Sequence, residues 1–255
     1  MSKYMVILVV GVLSVACIAQ EAQEQGQEEN PISVALSTGY STAYATNFGL
    51  LCGKDSWVSE LALEHESGLY AGVFYNHGFR EFGEEGADWS KEVDFTLGWS
   101  TEIAGLTFDF SGTYWECWEL GKYDNDFWYP ALEVSKEIEL SDSQTLTPSV
   151  QAAFPFSVAE DGDDGALLFL KLTHGWQVNE KVSVETWGSL VKDDGVIGLQ
   201  PGWVGEPGVV ASYQLTDNFS INAGVRGILL LSGGMEEKNV REPMVIFSTN
   251  LVLEF

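Results

Sequence analysis

The sequence predicts an all-β fold, a transmembrane antiparallel up-and-down β-barrel of about 12 strands preceded by a signal peptide. Three observations carry that prediction: residue-by-residue alternation of apolar and polar side chains, connections that alternate between short and long, and aromatic residues gathered at strand ends. The chain has 255 residues, 12 Lys+Arg against 38 Asp+Glu, a net charge of −26, and 9 Trp, 9 Tyr, 14 Phe and 27 Gly. Its mean hydropathy is +0.01. So acidic a chain is a poor nucleic-acid binder, since phosphate affinity rests on Lys and Arg. So aromatic a chain is not a disordered acidic tail. The length suits one domain, and barrels commonly reach it.

The N-terminus comes first. Lys3 precedes the apolar run 5–16, then small residues and a polar Gln/Glu segment follow. About twelve apolar residues are too few for a helix that needs roughly 20 to cross a bilayer. The pattern is that of a secretory signal peptide over 1–19, cleaved after Ala19 or Ala22, with 20–31 a polar disordered segment and 32–255 the barrel. Cys17 leaves a lipoprotein signal as the alternative, although Ser14 stands where such signals carry Leu. Export leaves Cys52 and Cys117, which in an oxidising compartment form one disulfide or remain two thiols.

From Ile32 onward the period is two. Val93, Phe95, Leu97 and Trp99 alternate with Asp94, Thr96 and Gly98, and Leu106, Phe108 and Phe110 alternate with Thr107, Asp109 and Ser111. Each strand therefore has one apolar and one polar face. Short connections are expected at 66–68, 101–105, 139–144, 178–181 and 216–218, and long ones at 44–55, 79–88, 117–126, 157–164, 191–206 and 233–241. Five short and six long connections make twelve strands with both termini on the short-turn side, as in bacterial outer-membrane barrels. Pro130, Pro148 and Pro155 conflict with this plan, because each removes a ladder donor inside an expected strand.

The apolar face should meet lipid, with aromatic girdles at both interfaces. Near the short turns it presents Trp99, Trp176, Tyr213, Phe219 and Phe255, and near the long loops Trp57, Tyr75, Trp89, Tyr114 and Trp128. No charge falls between the two bands. A soluble β-sandwich also alternates and could offer Trp118, Phe127 and Trp203 as a binding surface, but gives no reason for banded aromatics or for alternating loop length. The chain ends in an alternating strand, Leu251 to Phe255, a termination that the barrel-assembly machinery of a Gram-negative-type outer membrane would read.

The stretch from Leu63 to Phe74 (LEHESGLYAGVF), with Glu92 to Trp99, Tyr129 to Val134 and the opening Ser37 to Tyr44, resembles the TorF-type porins, the Gcw_chp family of outer-membrane barrels. The resemblance covers roughly 32–140 and departs from the family at 46–49, where an Arg-Gly pair is usual. It implies a barrel with channel function and no catalytic residues.

The polar face would then line a bore. By parity it carries Glu60, Glu64, Glu92, Asp94, Asp109, Glu133, Glu185 and Glu254 against Lys171 and Arg226. Such an excess biases a water-filled pore toward cations, and twelve strands tilted by about 40° give a backbone radius of roughly 12 Å. The alternatives are that these carboxylates merely brace the wall, or that the barrel is closed and serves as an anchor, adhesion or loop-borne binding module.

Loop acids at Glu81, Glu84, Glu85, Asp88, Glu160, Asp161, Asp163, Asp164, Asp193 and Asp194 lack the ordered spacing of a calcium loop and read as solvated. His65, His77 and His174 stand apart, and no Gly-x-Ser-x-Gly or His-Glu-x-x-His occurs, so no enzyme, cofactor or metal is expected. The expected partners are outer-membrane lipid, the assembly machinery and small solutes, with no nucleic acid.

Overall fold

The computed structural model describes residues 31–79, 90–117, 126–158, 164–196, 201–232 and 243–255. Twelve antiparallel staves form one closed sheet. They are β1 (Ile32–Ala45), β2 (Leu51–His65), β3 (Leu69–Gly78), β4 (Lys91–Ile103) and β5 (Leu106–Cys117), then β6 in two pieces (Phe127–Ser135 and Ile138–Ser141) and β7 in two pieces (Gln144–Ala153 and Phe156–Ser157). After these come β8 (Leu167–Asn179), β9 (Val182–Asp193), β10 (Gly202–Thr216), β11 (Phe219–Leu230) and β12 (Met244–Glu254). Each stave pairs with the next, and β12 returns to β1 with Leu36 opposite Leu253 and Ser41 opposite Ser248. Closure removes the unpaired edges that an open sheet would expose.

The expected prolines explain the two broken staves. Pro148 faces the gap after Ser135, where the Lys136 N–H donates to the Pro148 carbonyl at 3.2 Å. Pro155 lies in the gap of β7, and there the Phe154 N–H donates to the Pro130 carbonyl at 3.0 Å. A residue without an N–H leaves one rung unmade, so the ladder stops and resumes past it.

Loop lengths follow the expected alternation, with tight turns at 66–68, 104–105, 142–143, 180–181 and 217–218. Gly68 needs its identity, because its φ is 82° and a Cβ there would overlap the carbonyl oxygen of Ser100. Among the strand boundaries that differ from those the sequence predicts, two move farthest. Strand β2 begins at Leu51, not after 55, and β10 begins at Gly202, not after 206.

One register of apolar side chains runs round the outside: Leu61 faces Val73, Val73 faces Phe95, Phe95 faces Tyr114, Tyr114 faces Trp128. Leu97, mid-strand on this face, is 67% exposed. Only a lipid surrounding satisfies so continuous a belt. Leu97→Arg is therefore expected to destabilise the barrel by about 2–4 kcal/mol in equilibrium unfolding from phospholipid, a cost that a water-exposed position would not show.

The expected girdle residues occupy that outer face. Trp99 stacks on Phe110 at 6.0 Å and donates its Nε1–H to the Ser67 carbonyl at 3.1 Å, which fixes it at the short-turn rim. Trp176 and Tyr213 are exposed at the same rim, where Phe219 opens β11 and Phe255 pairs its backbone with Val34. At the other rim Trp57 and Trp128 are exposed, and Tyr114 packs on Trp128 while donating to Asp126 at 2.6 Å. Tyr75 departs from the pattern: it is 7% exposed and stacks on His77, so its ring is covered. Trp89 lies outside the described residues.

Candidate functional site

The inner wall is built by the alternate positions. Register carries Glu60, Glu64, Glu92, Asp94, Asp109, Glu133, Lys171, Glu185 and Arg226 to the face opposite the apolar belt, together with Glu254 beside Ala35. Asp109 and Glu133 stand directly opposite each other on β5 and β6, and Tyr70 donates its hydroxyl to Asp109 at 2.8 Å. Farther round, the Lys171 ammonium lies 5.9 Å from the Trp187 ring centroid. Near the short turns the wall opens into a cavity of about 720 Å³ lined mainly by polar residues, Thr145, Gln177, Ser183, Glu185, Ser212 and Asn222 among them, with Val184 and Val210 beside them.

Glu206 belongs to this wall and was missed in the sequence, where 191–206 read as loop. It pairs with Arg226 at 3.3 Å and accepts from the Trp187 Nε1–H at 3.4 Å. For Asp193 the sequence predicts a solvated loop acid. It is instead fully buried, accepting from the Gly195 and Val196 N–H groups at 2.8 and 2.9 Å in an Asx turn.

The long-loop mouth holds the largest departure from expectation. The sequence pattern places 44–55 in an outside loop, but the tip of the β1–β2 hairpin folds into the bore. Asp55 adopts φ 54°, a left-handed conformation that Asp tolerates better than most residues, and its carboxylate accepts from the Tyr40 hydroxyl at 2.7 Å. At the tip, the Thr46 N–H donates to the Leu50 carbonyl at 2.8 Å, and Gly49 takes φ 83°. A Cβ on Gly49 would sit 3.1 Å from Ile228 and 3.2 Å from Val204, so the backbone packs on the inner wall at β10 and β11.

Phe48, at 0% exposure, stacks on Trp115 at 6.0 Å, and Trp115 stacks on Tyr129 at 5.1 Å. Ala45, Phe48 and Leu51 share one apolar cluster with Phe169, Val191, Val204 and Ile228, which line the inner wall from β8, opposite the hairpin, round to β11, two staves from β1. The Arg226 guanidinium, besides its pairing with Glu206, donates to the Ala45 carbonyl. The Cys52 thiol is free and buried in this inward hairpin, 3.6 Å from the Leu50 carbonyl, which for Cys52 is the thiol alternative of the two that the sequence leaves open. The inward fold of the hairpin is what buries Cys52.

Beneath the tip, Glu92 and Asp94 are nearly buried, and the Tyr44 hydroxyl donates to Glu92 at 2.5 Å. Among the described residues no group of three or more His, Cys, Asp or Glu is arranged to hold a metal. The histidines are not brought together: His65 bonds Ser67 at a turn, His77 stacks beside Tyr75, and His174 bonds Gln144. Of the loop acids, Glu81, Glu84, Glu85, Asp88, Glu160, Asp161 and Asp163 lie outside the described residues, as do Cys17 and Trp118.

A closed barrel with a banded apolar exterior and a polar interior has the architecture of outer-membrane channels. Solved structures of that kind superpose on it over most of both chains. The NanC porin matches at a TM-score of 0.53 and 9% identity, covering 87% of this chain and 98% of that one. The KdgM porin matches at 0.54 and 8%, covering 88% and 99%. An outer-membrane channel from Pseudomonas putida F1 matches at 0.54 and 13%, covering 88% and 94%. At such identities the likeness is one of fold. No family model matches the chain, and no curated protein matches it by sequence.

Proposed function

We propose that the chain is an outer-membrane channel for small solutes, biased toward cations, in which the first hairpin narrows the outer mouth. On this reading 1–19 directs export and the barrel begins at 32, with the resemblance to TorF-type porins pointing the same way. The observation that carries the proposal is the charge of the inner wall. Glu60, Glu64, Asp109, Glu133 and Glu185 face the bore, Lys171 is a base of that wall, and Arg226 is already neutralised by Glu206. In a narrow, partly desolvated bore such an excess concentrates cations and repels anions.

The solute class follows from the same charge. A KdgM porin has been solved with disordered oligogalacturonate, a polyanion. An acidic wall disfavours such a ligand and favours inorganic cations or small amines. The test is the reversal potential of purified protein in a planar bilayer across a KCl gradient. It should lie toward the K⁺ equilibrium value, and a shift toward the Cl⁻ value would refute the wall's role in selectivity.

A second reading has its own observation. The complete burial of Phe48 and the near-complete burial of Leu51 against the opposite wall favour a closed barrel that anchors its outer loops. The two readings part on whether the hairpin tip leaves or yields a path for ions.

A further inference from the structure

Glu92 and Asp94 lie two residues apart on the inner face of β4, 3% and 7% exposed. Among the described residues neither forms an ion pair with Lys or Arg. Two carboxyl groups taken from water without a base are costly unless something else compensates them. Glu92 accepts from the Tyr44 hydroxyl and lies within hydrogen-bond reach of Asp94, so the two carboxyls contact each other. The Oδ1 atom of Asp94 is buried and has no hydrogen-bond partner.

The neighbouring stave supplies an independent sign. Asn76 on β3, fully buried, stands directly opposite Glu92. Its Nδ2 donates to the Ser90 carbonyl at 2.9 Å, on the mouth side of Glu92. The two ends of an amide diverge, so its Oδ1 is not spent on Ser90, and the register sets the side chain beside that of Glu92 on the inner face. That Oδ1 is also without a partner, as is the buried Oγ of Ser56 on the adjoining stave. Unsatisfied oxygens on Asp94 and Asn76, beside two adjoining carboxyls that have no base, make a donor set for a hard cation. Calcium takes six to eight oxygens, carboxylate, amide and water among them, in flexible geometry.

We propose that Glu92, Asp94 and Asn76, under the inward hairpin, form a binding site for a hard divalent cation of the calcium type. Two carboxylates match the ion's charge, the Asn76 carbonyl adds a neutral oxygen, and water completes the shell. Because Tyr44 is bonded to Glu92, the ion also steadies the hairpin against the wall.

Terbium luminescence tests this on the intact, folded barrel, since Tyr44 and the nearby Trp115 can sensitise an ion held at Glu92. Wild-type protein should show sensitised emission that saturates with Tb³⁺ and is displaced by Ca²⁺. Asp94→Asn and Asn76→Ala should raise the half-saturating concentration more than about tenfold, and Asn76→Asp, which adds a carboxylate, should lower it. Emission that Ca²⁺ does not displace, or that is the same in Asp94→Asn and Asn76→Asp, would overturn the site. Should Asp94→Asn fail to give heat-modifiable protein, the opposed shifts of the two Asn76 variants decide the matter. Emission is read without current, so a barrel that binds the ion yet conducts nothing sinks the channel reading alone.

Discussion

Phe48→Asp is expected to raise the unit conductance of the barrel severalfold. Phe48 is the tip of the inward hairpin, wholly buried between Trp115 and the far wall. A carboxylate cannot remain in that apolar cluster without a partner, and its desolvation cost of several kcal/mol exceeds what the remaining contacts of a five-residue turn can return. The tip should leave for water and the mouth should widen toward the roughly 12 Å backbone radius of a twelve-stave barrel. The closing ladder between β1 and β12 ends at Ser41, short of the tip, so the barrel should still fold. Phe48→Leu keeps the volume and polarity of the site approximately and should leave conductance near the wild-type value. Single-channel recording of the three proteins is the check. Equal conductance in all three would mean that the hairpin does not limit the bore.

Asp109→Lys combined with Glu133→Lys is expected to move the reversal potential across zero, from cation to anion preference. These two acids stand directly opposite on adjacent staves of the inner wall, below the level of the hairpin, and each exchange alters the wall by two charges. They serve better than Glu92 and Asp94, where a lysine would be buried and the fold itself would suffer. Placing two like charges opposite each other costs only about 0.2–1 kcal/mol, much as the two acids do already. Unchanged selectivity with normal folding would show that ions do not pass this wall.

Much of the barrel is written in a period of two. Parity alone separated Phe95, Leu97 and Trp99 from Asp94, and the closed register puts those residues on opposite faces all the way round. Loop lengths were legible because turn residues such as Glu66 to Gly68 interrupt the alternation. Parity is silent where a hairpin bends. Residues 44–55 have the glycine and polar content of an outside loop, and the one cue to their burial was the apolar run Phe48, Leu50, Leu51, Cys52. Glu206 was hidden for a related reason, since Gly205, Pro207 and Gly208 around it imitate a loop while forming a strand. The proline conflict was visible in the sequence, yet its resolution, a rung skipped opposite Pro148 and another at Pro155, needs the partner strand to be known. The burial of Cys52 follows from that same inward hairpin.

Step currents from purified, heat-modifiable wild-type protein in a planar lipid bilayer test the central claim most directly. The account predicts discrete, small, cation-preferring steps, enlarged when the Phe48 tip is displaced. A bilayer that stays silent with both the wild-type protein and Phe48→Asp would contradict it and leave the closed anchoring barrel standing.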